Sequence, residues 1–178
     1  MKYDPTKHNR HSIRLQNYNY STAGAYFITI CTHQRECLFG EISEGVMQLS
    51  QLGQVAQSHW MNLPKYHSNL YLKTFVVMPN HLHGILILHS DRSGRAGFDQ
   101  TSTAKSPDLP EIIRGFKTFS ARQINKIRRV SKIPVWQRNY YEHIIRNEES
   151  LERIRQYIEN NPLSWFMDRL HPANPIHL

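Results

Sequence analysis

The sequence has few of the features that mark secreted, membrane-spanning or repeat proteins. Only two of its 178 residues are cysteines, too few for a disulfide framework and wrongly spaced for a zinc ribbon. No apolar run approaches the roughly 20 residues that cross a bilayer, and the polar N-terminus lacks the apolar core of a signal peptide. Repeats with a period of roughly 20 to 50 residues are absent. These absences predict a cytoplasmic protein that does not enter a membrane.

Acidic residues are scarce relative to basic ones. There are 22 Lys and Arg residues against 14 Asp and Glu residues, a formal net charge of +8. This balance favours a polyanionic partner such as nucleic acid, although ordinary solvation of the charges is the alternative. Basic side chains concentrate in residues 1–22 and 114–138. The candidate DNA-contacting residues in the second stretch are Arg114, Lys117, Arg122, Lys126, Arg128, Arg129 and Arg138.

Hydrophobic periodicity predicts elements in the order β-α-β-β-α-β-α. Runs rich in β-branched and aromatic residues predict strands over 25–32, 70–78, 81–88 and 140–145. Helical spacing predicts helices from Ser50 to Pro64, after Pro110, and from Glu148 to about Asn161. This order predicts an α+β fold in which helices flank an antiparallel sheet.

The composition also predicts the domain limits. Residues 1–22 are predicted to form a basic arm, 23–165 the folded domain and 166–178 a short tail. Within the domain, residues 90–106 are rich in Ser, Thr, Gly and Asp, which is typical of a loop.

His81 and His83 form the first candidate site. Side chains two residues apart in a strand point to one face of the sheet, so both imidazoles are expected on the same side. Two neutral imidazoles on a rigid strand can bind a divalent metal. Such a pair is also common among surface and core histidines, and that interpretation stays open. His89 would lie about 20 Å farther along at ~3.3 Å per residue, so it is left out of the site.

Tyr157 and Asn161 form the second candidate site. They lie one turn apart on the helix face that also carries Ile154 and Ile158. A simpler interpretation makes Tyr157 a packing residue and Asn161 a residue of the helix C-terminus.

Two runs of sequence carry a family resemblance. MPNHLHGI and YYEHIIRNEESLERIRQYIENNP resemble the REP-associated tyrosine transposases, from the single-tyrosine branch of the HUH endonuclease superfamily. AYFITICTHQRECLF and GFKTFSARQIN are similar to the same family, and the resemblance covers roughly residues 14 to 165 in matching order. It implies the ferredoxin-like or RRM-like HUH nuclease fold.

The resemblance also implies roles for individual residues. His81, His83 and Asn161 would hold Mg²⁺ or Mn²⁺, and Tyr157 would be the nucleophile. Tyr140 and Tyr141 are rival nucleophiles by sequence position, but neither has a polar ligand one helical turn away.

The implied activity is metal-dependent cleavage and rejoining of single-stranded DNA through a 5′-phosphotyrosine. The implied partner is single-stranded DNA with hairpin structure, which would place the protein at the nucleoid as a monomer or homodimer. Tyr18, Tyr20 or Trp136 could stack on unpaired bases, although ordinary solvation or core packing is the favoured interpretation of any single one of them. Two other functions stay open: a non-catalytic nucleic-acid-binding module on this fold, and a metal-dependent phosphoesterase that uses water.

Overall fold

A computed structural model describes residues 23–89 and 107–174. The predicted arm over residues 1–22 and the predicted loop over 90–106 therefore lie outside the described residues. The strands are β1 (Gly24–Cys31), β2 (Gly40–Ser43), β3 (Val46–Leu49), β4 (Leu70–Met78), β5 (His81–Leu88) and β6 (Tyr141–Ile145). The helices are α1 (Gln51–Met61), α2 (Leu63–Tyr66), α3 (Leu109–Ile127) and α4 (Glu148–Asn160). No helix in these two ranges has the length and hydropathy needed to span a membrane.

Four strands form one antiparallel sheet in the order β4-β5-β1-β6. β2 and β3 make a separate hairpin that turns at Gly45, where φ is +74°, a conformation that glycine adopts without strain. The predicted α+β class, with an antiparallel sheet flanked by helices, is confirmed.

The two faces of the sheet bury different sets of side chains. On one face, α1 and α3 pack over β1 and β5, and the Trp60 and Phe116 rings meet edge to face at 5.2 Å. Gly84 makes this packing possible, because a Cβ there would come within 2.5 Å of the Trp60 ring. On the other face, Leu151 and Ile158 of α4 pack against β1 and β5.

Side-chain caps set the helix starts near the predicted positions. Ser50, Asp108 and Asn147 each accept a hydrogen bond from a backbone N–H in the first turn of α1, α3 and α4. The predicted end of the first helix at Pro64 was wrong. α1 ends at Met61, and Pro64 lies in the first turn of α2, where a missing amide hydrogen costs nothing.

Candidate active site

β5 carries the two histidines on the face that α4 covers. His81 lies opposite Cys31 of β1, and His83 lies opposite Thr29 of the same strand. Both imidazoles are buried, and their ring centroids are 4.4 Å apart. The prediction that they share one face is confirmed, because the strand period of two places them there.

Asn80 fixes the orientation and tautomer of His81. Its Nδ2 donates to the carbonyl oxygens of Arg35 at 3.2 Å and Leu170 at 2.7 Å, so its Oδ1 is the atom that faces His81. That oxygen lies 2.8 Å from Nδ1 of His81 and accepts its proton. Nε2 of His81 is left unprotonated and buried, without a hydrogen-bond partner among residues 23–89 and 107–174. The lone pair of this nitrogen is therefore available to bind a cation.

His83 is held from both sides of its ring. Its Nδ1 lies 2.8 Å from Oγ1 of Thr29, on the neighbouring strand. Its Nε2 lies 3.2 Å from the Tyr157 hydroxyl. The Tyr157 ring also meets Phe27 edge to face, with centroids 6.1 Å apart. The predicted nucleophile and one predicted metal ligand are therefore in direct contact.

Asn161 reaches the same place from the C-terminus of α4. Its side chain is buried, and its Nδ2 donates to Oδ2 of Asp168 at 2.9 Å. Oδ1 of Asn161 is buried without a hydrogen-bond partner in the described part of the chain. The structure thus brings together all four predicted residues, His81, His83, Tyr157 and Asn161.

Sequence reasoning missed Asp168. Ligand atoms of His81, His83 and Asp168 all lie within 4.8 Å of one another, a grouping that could hold a metal ion. Asp168 falls in the predicted tail, but the 3₁₀ turn Trp165–Met167 folds this segment back onto the site. The one signal in the sequence is that Asp168 is the only acidic residue after Asn161.

Burial keeps both imidazoles neutral. It lowers the pKa of His81 to about 4, partly countered by the Asp168 charge and by the neighbouring Asn161 side chain. Burial, together with the charge of His81, holds the pKa of His83 well below its usual value. The neutral form is the one that binds metals.

Tyr157 is a weak nucleophile without help. Burial and the negative charge of Asp168 raise its pKa to about 12, and the Asn161 side chain and Arg169 only partly offset this rise. A cation beside the hydroxyl would favour the phenolate.

An open cleft of about 730 Å³ runs past Tyr157 and gives access to the site. Its wall contains Phe27, Tyr141, His83, Asn161, Arg35 and Arg169. Tyr141, one of the rival tyrosines, therefore faces the same cleft.

The predicted DNA-contacting residues of α3 belong to a helix that packs with α1 on the face of the sheet opposite the histidines. Lys117 donates hydrogen bonds to the backbone carbonyls of Gln137, Arg138 and Asn139, and burial lowers its pKa to about 8. Its ammonium group is thus engaged within the protein. DNA contact by Arg114, Lys117, Arg122, Lys126, Arg128, Arg129 and Arg138 stays a prediction.

Trp136 is buried and does not offer a stacking surface. Its ring packs against Phe39 and Phe116, and its Nε1 donates to Oγ of Ser120 at 3.0 Å. Core packing, the interpretation favoured for any single one of these aromatic residues, is confirmed for Trp136. Tyr18 and Tyr20 lie outside the described residues.

The chain is similar to one known protein in sequence and to another in structure. No protein-family model matches it. A protein of uncharacterised function from Haemophilus influenzae is 43% identical over 180 residues, covering 96% of this chain and 97% of that protein. A solved structure of a REP-associated tyrosine transposase, bound to a REP hairpin, matches with a TM-score of 0.53 at 17% identity, covering 94% of this chain and 91% of that one. The chain therefore belongs to one family with the Haemophilus influenzae protein and has the fold of the REP-associated tyrosine transposase, as its sequence motifs indicated.

Proposed function

We propose that this protein is a transposase-type enzyme, a metal-dependent endonuclease and strand transferase that acts on single-stranded DNA through Tyr157. One observation carries the proposal. The Tyr157 hydroxyl lies 3.2 Å from Nε2 of His83, at the wall of an open cleft, and two nearby buried acceptors have no hydrogen-bond partner among the described residues. A candidate nucleophile, candidate metal ligands and an open approach thus coincide.

The donor set fits a divalent cation. His81 offers an unprotonated Nε2 and Asn161 offers Oδ1, and buried acceptors of this kind are seldom left unpaired. With His83 they would form a site of two nitrogens and one oxygen, suited to Mn²⁺ or Mg²⁺. When bound, the metal would supply Lewis-acid polarisation of the scissile phosphate.

Tyr157 would carry the covalent step. Its Oη forms a bond to phosphorus, and the P–O3′ bond breaks with its electron pair left on O3′. The phenol proton passes to water in the cleft and O3′ takes up one proton, so the strand ends in a 3′-hydroxyl. The other strand end is linked to Tyr157 as a 5′-phosphotyrosine. Attack by a different 3′-hydroxyl reverses these steps and joins new strands.

The surroundings of Tyr157 would hold it in place for attack. Phe27 meets its ring edge to face, with the centroids 6.1 Å apart. His83 holds the hydroxyl at the mouth of the cleft before DNA arrives.

The substrate we propose is single-stranded DNA with hairpin structure. The REP-associated transposase with this fold was solved with a REP hairpin. The net charge of +8 supports a polyanionic partner for this chain as well. The protein would act at the nucleoid in the cytoplasm, as a monomer or a homodimer.

A cleavage assay tests the proposal. The protein is incubated with labelled, hairpin-forming single-stranded DNA in Mn²⁺, beside its Tyr157→Phe variant. We expect cleavage by the wild type only, with equal DNA binding by both. Cleavage that persists in Tyr157→Phe would identify a phosphoesterase that uses water. Binding without cleavage by the wild type would indicate a non-catalytic module.

A further inference from the structure

We propose that Arg35 and Arg169 bind phosphates of the DNA strand that enters the cleft beside Tyr157. The inference rests on the proposed function and names the side chains that would hold the substrate there. Neither arginine belongs to the basic stretch 114–138, and neither lies on α3.

The two arginines are neighbours on the wall of the cleft. Both line it together with Tyr157 and His83. Nη1 of Arg35 donates to the backbone carbonyl of Arg169 at 3.2 Å, which brings the two segments into contact. A strand that places its scissile phosphate at Tyr157 would pass these guanidinium groups.

The backbone of Arg35 is tied to the candidate metal site. Its carbonyl oxygen accepts a hydrogen bond of 3.2 Å from Asn80, the residue that orients His81. Its φ of +58° is unusual for a residue other than glycine. Such a conformation persists where the surroundings hold it, and it is frequent at functional sites. Arg35 therefore starts from a fixed position next to the histidines.

The charge of the cleft suits one phosphodiester group. Ion pairs within residues 23–89 and 107–174 involve Arg114 and Arg155, not Arg35 or Arg169. Of the described residues, Asp168 is the only acidic one on the cleft wall, and its oxygens accept hydrogen bonds from Asn161 and from the Leu170 N–H. Two arginines and one aspartate, with neutral histidines, leave one positive charge in excess. A planar guanidinium group matches the geometry of phosphate oxygens.

The test measures DNA binding without metal, so that it does not depend on cleavage. Affinity for a labelled, unstructured oligonucleotide is measured in EDTA across a range of salt concentrations. For Arg35→Gln and Arg169→Gln, we expect weaker binding and a slope of log K against log salt that is shallower by about 0.7 for each lost phosphate contact. Arg169→Lys should keep the slope, because it keeps the charge.

Arg146→Gln is the matched control. Arg146 is exposed just beyond β6, about 16 Å along the strand from Tyr141 at ~3.3 Å per residue, and it does not line the cleft. Its variant should bind as the wild type does. Unchanged salt slopes in both cleft variants would overturn the inference, even if the wild type forms a covalent complex with DNA. A wild type that forms no such complex would overturn the proposed function instead, whatever the slopes show.

Discussion

Asp168 fixes the orientation of the Asn161 side-chain amide, because its Oδ2 accepts a hydrogen bond of 2.9 Å from Nδ2 of Asn161. The amide nitrogen therefore faces the carboxylate, and Oδ1 is left for the histidines. Asp168 is itself held, because its Oδ1 accepts from the backbone N–H of Leu170 at 2.6 Å. Only the oxygen of an amide can bind a cation, so this contact decides whether Asn161 can act as a ligand.

Asp168→Ala should weaken metal binding. Losing a partner that orients a ligand typically costs about 10- to 100-fold in metal affinity, and we expect a loss in this range for Mn²⁺, measured by calorimetry on DNA-free protein. Asp108→Ala is the control: it removes a carboxylate that caps α3 away from the site, and its Mn²⁺ affinity should not change. Equal Mn²⁺ affinity in Asp168→Ala and the wild type would contradict this role.

Asn80→Ala should destabilise the fold as well as the site. It leaves Nδ1 of His81 and two backbone carbonyls without their partners. We expect the free energy of unfolding in urea to fall by about 1–3 kcal/mol, the cost of burying unpaired polar groups. Asn62→Ala removes only a solvent-exposed hydrogen bond to Ser58 and should stay within about 0.5 kcal/mol of the wild type. A similar change in both variants would refute the special role of Asn80.

Gly84→Ala and Gly115→Ala should change stability in opposite directions. The new methyl group at position 84 would lie 2.5 Å from the Trp60 ring, and such overpacking costs about 1–3 kcal/mol. At position 115, within α3, a Cβ would meet nothing within 4 Å. Alanine there should stabilise the helix by about 0.5–1 kcal/mol. The thermal unfolding temperatures of both variants test these two expectations. A Gly84→Ala protein as stable as the wild type would show that the Trp60 ring moves aside.

Ser120→Ala should destabilise the core. Oγ of Ser120 accepts from the indole N–H of Trp136 and donates to the carbonyl of Phe116 at 2.6 Å. Without it the buried indole N–H is unpaired, at a cost of about 1–3 kcal/mol in the free energy of unfolding. Thr118→Ala removes a similar bond on the exposed side of the same helix and should cost about 0.5 kcal/mol or less. If the two variants unfold at the same urea concentration, the hydrogen bond to the Trp136 indole contributes little to the free energy of unfolding.

The local geometry of the candidate site followed from the sequence, because it depends on short-range periodicity. The strand repeat put His81 and His83 on one face, and the helix repeat put Tyr157 and Asn161 one turn apart. Asp168 and Arg35 could not be found in this way. Both lie in or beside short irregular turns, which have no periodicity to read from the sequence. Arg35 also depends on a contact with Arg169, which is distant in sequence.

The face of the sheet on which the basic helix α3 packs could not be predicted from the sequence, for a related reason. The spacing of Ile112, Phe116 and Ile124 identifies the buried side of α3. It does not say which face of the sheet that side covers. The long-range topology decided this, and it placed α3 on the face opposite the histidines.

The most direct measurement of the central claim is the identity of the residue that becomes linked to DNA. The protein is incubated with hairpin-forming single-stranded DNA and Mn²⁺, digested with a protease, and its peptides are analysed by mass spectrometry. We expect a nucleotide adduct on Tyr157, and no adduct in the Tyr157→Phe protein. An adduct on Tyr140 or Tyr141, or cleaved DNA without any adduct, would contradict this expectation.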